Sequence, residues 1–592
     1  MSVSTNSGIV TFTIKTNGIA VPDEFRVLSV EVTKQVNGIA KAIITVLDGD
    51  PDTQTFDTSS SNTYVPGNMI TVEAGYDSKN TLLFSGIITG QNLKIDQTIG
   101  SALVVECHDL CIKTTVARNS KTWFNVSDGK IIESIMQNYS GINLSVASPT
   151  LTVQQRVQNS VSDWEFIQSL AAANGMIVSA VNNRLTVALP DAQTSPVATA
   201  TYGNDLLEFN ADLNAIHQLA AVEVSSWNFP TQIIQSTVVG NSYAGPGNLS
   251  SSILSQVVGL SEYPLETTTI LSAAERSANA KAVLTKTNYA KITGKAKIQG
   301  TAIIEPASYI ELAGLGTRFS GNHFVSGIDH LLSDGNWTSE VSIGLAPVQK
   351  TESQLSETTA LSGIKGLYNA TVKQMHDDPN NQFSILVTIP VLDPSGTGIW
   401  ARISQFYASS NAGAFFLPEV GDEVIVGFLN DDSGSPVILG SVYSSPQHQP
   451  DSSLQPQERN PLKAIVSRSG IALMFDDDNK ILSLKTPSNN SIVMSDKDKM
   501  ITIQDQNGNV FSLSNSGISM KSPKSISIQS DQILSLEGTQ GIQLKSSGGD
   551  ISLQGMNIEQ TADMTYSVDA SMSMNLQSGT EMKLRSSMIF IN

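Results

Sequence analysis

Residues 517–544 read GISMKSPKSISIQSDQILSLEGTQGIQL. Apolar-x-apolar pairs recur in them at a fixed step of eight: Ile518/Met520, Ile526/Ile528, Leu534/Leu536 and Ile542/Leu544. The beat continues, with slips, at Ile551/Leu553, Met564/Tyr566, Met572/Met574, Met582/Leu584 and Ile589/Ile591. Upstream it loosens to steps of seven to ten residues through Leu482/Leu484, Ile492/Met494, Ile501/Ile503 and Phe511/Leu513. Alternation puts both apolar residues of a pair on one face of a short strand, and a fixed short period marks a solenoid or β-helix. A coil that encloses its own core needs about 18 residues or more. Eight residues supply one strand and one corner, and three strands are needed around an apolar axis. The spacing therefore predicts three copies of the chain wound together over residues 465–592. The core of this trimeric, interwound β-helix would be Ile518, Met520, Ile526, Ile528, Leu534, Leu536, Ile542, Leu544, Ile551 and Leu553. A disordered Ser-rich tail would lack the periodic Ile, Leu and Met.

The remaining composition is β-rich. Only 15% of the 592 residues are charged and 6% aromatic, with abundant Ser, Thr, Asn, Gly and Val, which favours strands and turns. The formal net charge of −19 argues against nucleic acid or anionic lipid as the main partner. The N-terminus has no basic region followed by an apolar run, so no secretory signal is expected. Assembly is expected in the cytoplasm, followed by export by other means. No run of 18 apolar residues predicts a membrane helix.

Working back from the repeat, residues 444–464 carry Pro446, Pro450, Pro456 and Pro461, a stiff connector assigned to 448–464. Residues 363–447 predict five short strands, Tyr368–Gln374, Phe383–Ile389, Ile399–Ser404, Glu423–Phe428 and Val437–Tyr443, which suits a small OB-fold barrel. An acidic surface (Asp377, Asp378, Asp393, Glu419, Asp422, Glu423, Asp431, Asp432) disfavours a nucleic-acid groove. Residues 351–362 read as a linker. Strand runs over 1–110 and 201–350 predict two β-barrels, separated by a helical, mixed insertion over 111–200. In that insertion Ser127 and Ser162 stand as N-caps before apolar stripes, and Asn174-Gly175 is a helix stop. A third, alanine-rich helix is expected near 272–284. The fold class is thus mainly β: two barrels with small helices, an OB barrel and a trimeric β-helix.

Signals for chemistry are weak. Cys107-His108-Asp109-Leu110-Cys111 suggests a metal site, but zinc needs four ligands and no second Cys/His pair sits nearby; buried cysteines on a strand are the expectation. The run Asp48-x-Asp50-x-Asp52 lacks the glycine and final glutamate of a calcium loop. No G-x-S-x-G, H-E-x-x-H or P-loop occurs, and Asp476-Asp477-Asp478 reads as a solvated corner. No catalytic residue, metal or cofactor is expected, and the chain is not expected to be an enzyme.

Several blocks carry a family resemblance. Val105-Glu106-Cys107-His108-Asp109 with Arg118-Asn119 is one. Asn159–Ile167 with Leu170 and Gly175 is another. A third is Phe319–Val325 with His330 and Asn336-Trp337-Thr338. The most specific is the OB signature: Trp400-Ala-Arg402, then Pro418-Glu-Val-Gly421-Asp-Glu423, then Gly440-Ser-Val-Tyr443. Together they resemble VgrG-type hub and spike proteins of contractile injection systems, a pattern shared by type VI secretion, extracellular injection systems and contractile phage tails. The resemblance implies a homotrimer in which two hub barrels per chain give six around the axis and cap an Hcp-like hexameric inner tube. It also implies baseplate contacts, effector cargo, only transient contact with a target membrane, and a PAAR-repeat protein on the tip. The tip would be Met588, Ile589, Phe590, Ile591 and Asn592, where three copies expose apolar side chains at a blunt end. One departure stands out: Glu305-Pro306-Ala307 lacks the Pro-Gly often found there. The competing reading is a phage-type tail spike that binds or degrades surface polysaccharide. It fits less well, because beyond Phe511 the repeat holds only Tyr566 and Phe590 as aromatics.

Overall fold

A computed structural model describes residues 8–96, 100–147, 151–191, 194–345, 363–444 and 450–591. The predicted 351–362 linker, Pro446 and Asn592 lie outside the described residues. The chain divides into two units, 1–449 and 450–592.

In the first unit the two predicted hub barrels are not separate. Their strands join in one 13-stranded sheet, and the seam is the antiparallel pairing of Val27–Gln35 with Gly321–Ser333, which sets Val32 opposite His330. Two apolar cores survive on this sheet. One gathers Val30, Ile44, Val72, Phe84 and Val105; the other gathers Ala296, Ile310, Val325 and Val341. Two stretches of strand-forming sequence thus build two cores: Gly321–Ser333 serves both, with Leu332 in the first and Val325 and Ile328 in the second, while Val27–Gln35 serves the first through Val30 and Val32.

Between them lies the mixed insertion. Ser162 caps the helix Asp163–Ala173 with a full capping box to Glu165, and the chain turns at Asn174 and Gly175, the latter at φ +68°. Ser127 precedes Asp128–Met136 without a side-chain cap bond. The third helix, Ala273–Tyr289, is capped by Ser272 and runs a turn past the expected end, because Tyr289 is buried against Tyr309 and Phe324. Arg276 pins this helix to a small sheet of Ala221–Asn228, Ile233–Gly240 and Tyr263–Thr267 by donating to Ser226, Gln235 and Thr237. Cys107 and Cys111 are buried free thiols, pushed upward in pKa by burial.

Residues 363–444 close into a five-stranded barrel of Leu367–Gln374, Ser384–Thr388, Ile399–Ile403, Pro436–Ser441 and Glu423–Phe428. Gly421, at φ +97°, makes the tight entry to the last of these, and its N–H donates to the Val372 carbonyl at 2.9 Å.

The second unit corrects the predicted boundary of the repeat. Residues 462–521 are not wound octads but a seven-stranded antiparallel meander, Leu462–Val466 through Gly517–Lys521, each strand paired with the next. Ile518 and Met520, expected to open the octads, form its last strand. The reason lies in the connections. Gly470, Lys480, Asn489, Lys499 and Gly508 adopt positive φ, so the polar spacers reverse the chain on itself. The Asp476–Asp478 corner is one such turn, with Asp477 and Asp478 paired to Lys463 and Arg459. Beyond 521 the described residues carry no strand paired within the chain.

Candidate functional site

The OB signature residues divide between frame and surface. Trp400 and Arg402 lie on the strand Ile399–Ile403, Pro418 and Gly421 shape the turn before Glu423, and Gly440 follows the bulged Leu439 on the closing strand. Arg402 leaves the barrel wall and stacks its guanidinium 3.6 Å from the ring centre of Phe229, in the turn of the small hub sheet. Burial there lowers its pKa. Two further bonds tie the barrel to the hub: Gln155 donates to the Ser433 carbonyl at 3.2 Å and Asn430 to Thr268 at 3.1 Å. The loop Leu429–Ser435 is thus a docking element, a role no sequence motif announced. Tyr443 is exposed.

An aromatic hairpin was also not anticipated. Ala408–Ser409 pairs with Ala412–Gly413, and Phe406, Tyr407, Phe415 and Phe416 on its stems are all exposed, Phe406 by 85%. The sequence between them carries no charge, a signal visible beforehand.

In the second unit every residue assigned to the trimer core stands exposed in the single chain, from Ile526 at 53% to Ile518 at 69%. The tip residues Met588, Ile589, Phe590 and Ile591 are likewise exposed, Ile591 by 86%; Asn592 lies outside the described residues. In the meander, cross-strand register aligns Ile465, Leu473, Leu484, Ile492, Ile503, Phe511 and Met520 in one row across all seven strands. Phe475, Leu482, Met494, Ile501, Leu513 and Ile518 align in a second row two positions along the strands. The sheet therefore carries one apolar face. Among the described residues no group of three or more His, Cys, Asp or Glu is placed to hold a metal ion.

Two family models match the sequence: the Alg8 N-terminal domain over residues 6–334, and the type VI secretion system/phage-baseplate injector OB domain over 368–443. The type VI secretion spike protein VgrG1a of Pseudomonas aeruginosa is 35% identical over 78 residues, 13% of this chain and 12% of the relative. VgrG3 of Vibrio cholerae is 43% identical over 51 residues, 9% and 5% of the two chains. These matches thus span only a small part of the curated relatives. Among solved structures, the lidded PdpA–VgrG complex of Francisella aligns with a TM-score of 0.50 at 11% identity, covering 87% of this chain and 81% of that one. An Escherichia coli type VI secretion component, described as similar to the T4 bacteriophage tail proteins gp27 and gp5, aligns at 0.45 and 12% identity over 72% of this chain and 99% of its own.

Proposed function

The chain belongs to the Alg8 N-terminal domain family through residues 6–334 and carries the injector OB domain at 368–443, and from that VgrG-type spike we propose the homotrimeric hub and spike of a contractile injection machine. The observation that carries this reading is the row of apolar pairs at eight-residue spacing, exposed from 526 to 591 in the single chain. Such a face is stable in water only when covered, and two further copies of the same chain cover it with the same residues. The hub then caps a hexameric, Hcp-like inner tube and contacts the baseplate. Contraction drives the spike through a target envelope, carrying effectors, and so exports a protein assembled in the cytoplasm. The exposed end at 588–591 seats a PAAR-repeat cap. The role is mechanical rather than catalytic, in keeping with relatives that are spike proteins.

Electron microscopy of the full chain mixed with the hexameric inner-tube protein tests the reading. Spikes seated on tube ends are expected. Free trimers that never associate with tubes, or release of reducing sugar from surface polysaccharide, would overturn it. Deleting 588–592 is expected to abolish cap binding and leave the trimer intact.

A further inference from the structure

We infer that the meander 462–521 is the register-setting interface of the trimer: its apolar face docks on the same face of two other copies and fixes the alignment in which the downstream repeats then zip. The inference rests on the trimeric reading above and adds how the three chains find their alignment.

The repeat's regular stretch, 518–544, cannot set its own alignment. Apolar residues there fall at 518, 526, 534 and 542, so sliding one chain by eight residues over that stretch again places apolar on apolar. Each slipped state loses only the contacts of one repeat at an end. A periodic strand of this kind specifies register weakly, and many near-equal minima make a glassy landscape. A non-periodic element must choose among them.

The meander has the required properties. Its strands pair within the chain, so it presents its face without waiting for a partner. Along the first apolar row the sequence steps alternate between eight and eleven residues from Ile465 to Phe511. Successive strands run in opposite directions, so shifting a neighbouring copy by one strand opposes strands of the wrong polarity. Phe475 and Phe511 each occur once in their row, and a displaced copy would meet a smaller side chain there. The face is unfinished in one chain: Leu484, Ile492, Ile503 and Met520 line a groove of about 590 Å³ that also reaches Ile526. Ile526 belongs to the first repeat beyond the meander. The groove is therefore continuous with the repeat's core, and its occupant is the neighbouring copy rather than a foreign chain.

Refolding kinetics of the full chain test this. The denatured protein is diluted into native buffer, and trimer formation is followed by light scattering and by the SDS-resistant fraction. The variant I503A/M520A thins the groove while leaving the backbone ladder intact; I503E/M520E blocks it. L576E/L584E places the same charges far down the repeat. All five tryptophans lie within residues 1–449, four in the hub and Trp400 in the OB barrel, so their fluorescence reports the folding of these parts separately from trimer formation. The groove variants are expected to form trimers at least tenfold more slowly, or as mixtures of SDS-resistant species, with the hub folded. The distal variant is expected to trimerise within twofold of the wild-type rate and lose only SDS resistance. Equal slowing by both, or wild-type kinetics in I503E/M520E, would overturn the register role while leaving the trimer standing. A wild-type chain that stays monomeric would overturn the trimeric reading and this inference with it.

Discussion

Ala307 stands at φ +70°, a left-handed conformation that costs a residue with a Cβ about 1 kcal/mol or more. It is held there because its N–H donates to the Val325 carbonyl at 2.9 Å and Ser308 closes the turn on Glu305. Pro306-Ala307 makes this turn without a glycine, and Ala307 carries the strain. Ala307→Gly is expected to raise stability by about 0.5–1 kcal/mol, read as a higher denaturation midpoint of the hub; an unchanged or lower midpoint would contradict it. Two positions earlier, Glu305 accepts from Lys34 at 3.3 Å and from Asn182 at 3.2 Å. The Lys34 side chain is wholly buried while that of Glu305 is 45% exposed. Removing the carboxylate leaves a buried ammonium unpaired. Glu305→Ala is expected to cost about 2–3 kcal/mol, under the roughly 3–5 seen for fully buried pairs, because water reaches half of Glu305. Adding Lys34→Met is expected to recover most of the loss in denaturant unfolding. The pairing is not legible in the sequence, since 271 residues separate its members, although alternation with Val30 and Val32 puts Lys34 on the inward face of its strand.

At the scale of elements, the strand Gly321–Ser333 holds two buried histidines. His323 donates from Nε2 to the Phe319 carbonyl at 2.7 Å, and burial lowers its pKa to about 4. His330 meets Ser339 through Nδ1 at 2.7 Å, and burial depresses it well below the usual range. Lys291 and Lys34 lie near them and push the same way. Both imidazoles are neutral in the folded hub and protonate first in the unfolded chain. Stability from His323 is therefore complete above pH 6.5 and is lost progressively as pH falls toward 4, by up to about 3 kcal/mol. His323→Gln is expected to flatten that slope between pH 6.5 and 4; an unaltered slope would assign acid sensitivity elsewhere. The OB barrel makes a second case. Its five strands were readable because Gly, Pro and Asp turns interrupt short β-branched runs, yet its docking through Arg402 and Phe229 was not, since cation–π partners leave no periodic trace. Arg402→Lys loses the planar stack and is expected to lower the unfolding temperature of the barrel by a few degrees while the hub transition stays in place.

The whole molecule explains why the repeat was legible and its upper boundary was not. An apolar-x-apolar strand looks the same whether its neighbour belongs to the same chain or to another. What separates the two is the connection. Asp477-Asp478-Asn479-Lys480, Ser488-Asn489-Asn490 and Gln506-Asn507-Gly508 are turn formers, and the strands they join reverse on one another as far as Lys521. Beyond it no strand pairs within the chain among the described residues, and the pairs lie exposed in the single chain. Everything proposed for the spike, its tip and its alignment, depends on three chains sharing that face. The mass of the purified full chain in mild buffer, measured by light scattering, tests this most directly. The account predicts three times 63.1 kDa, persisting on dilution. A stable particle at 63.1 kDa would mean that the repeat's apolar pairs are covered some other way, and would contradict it.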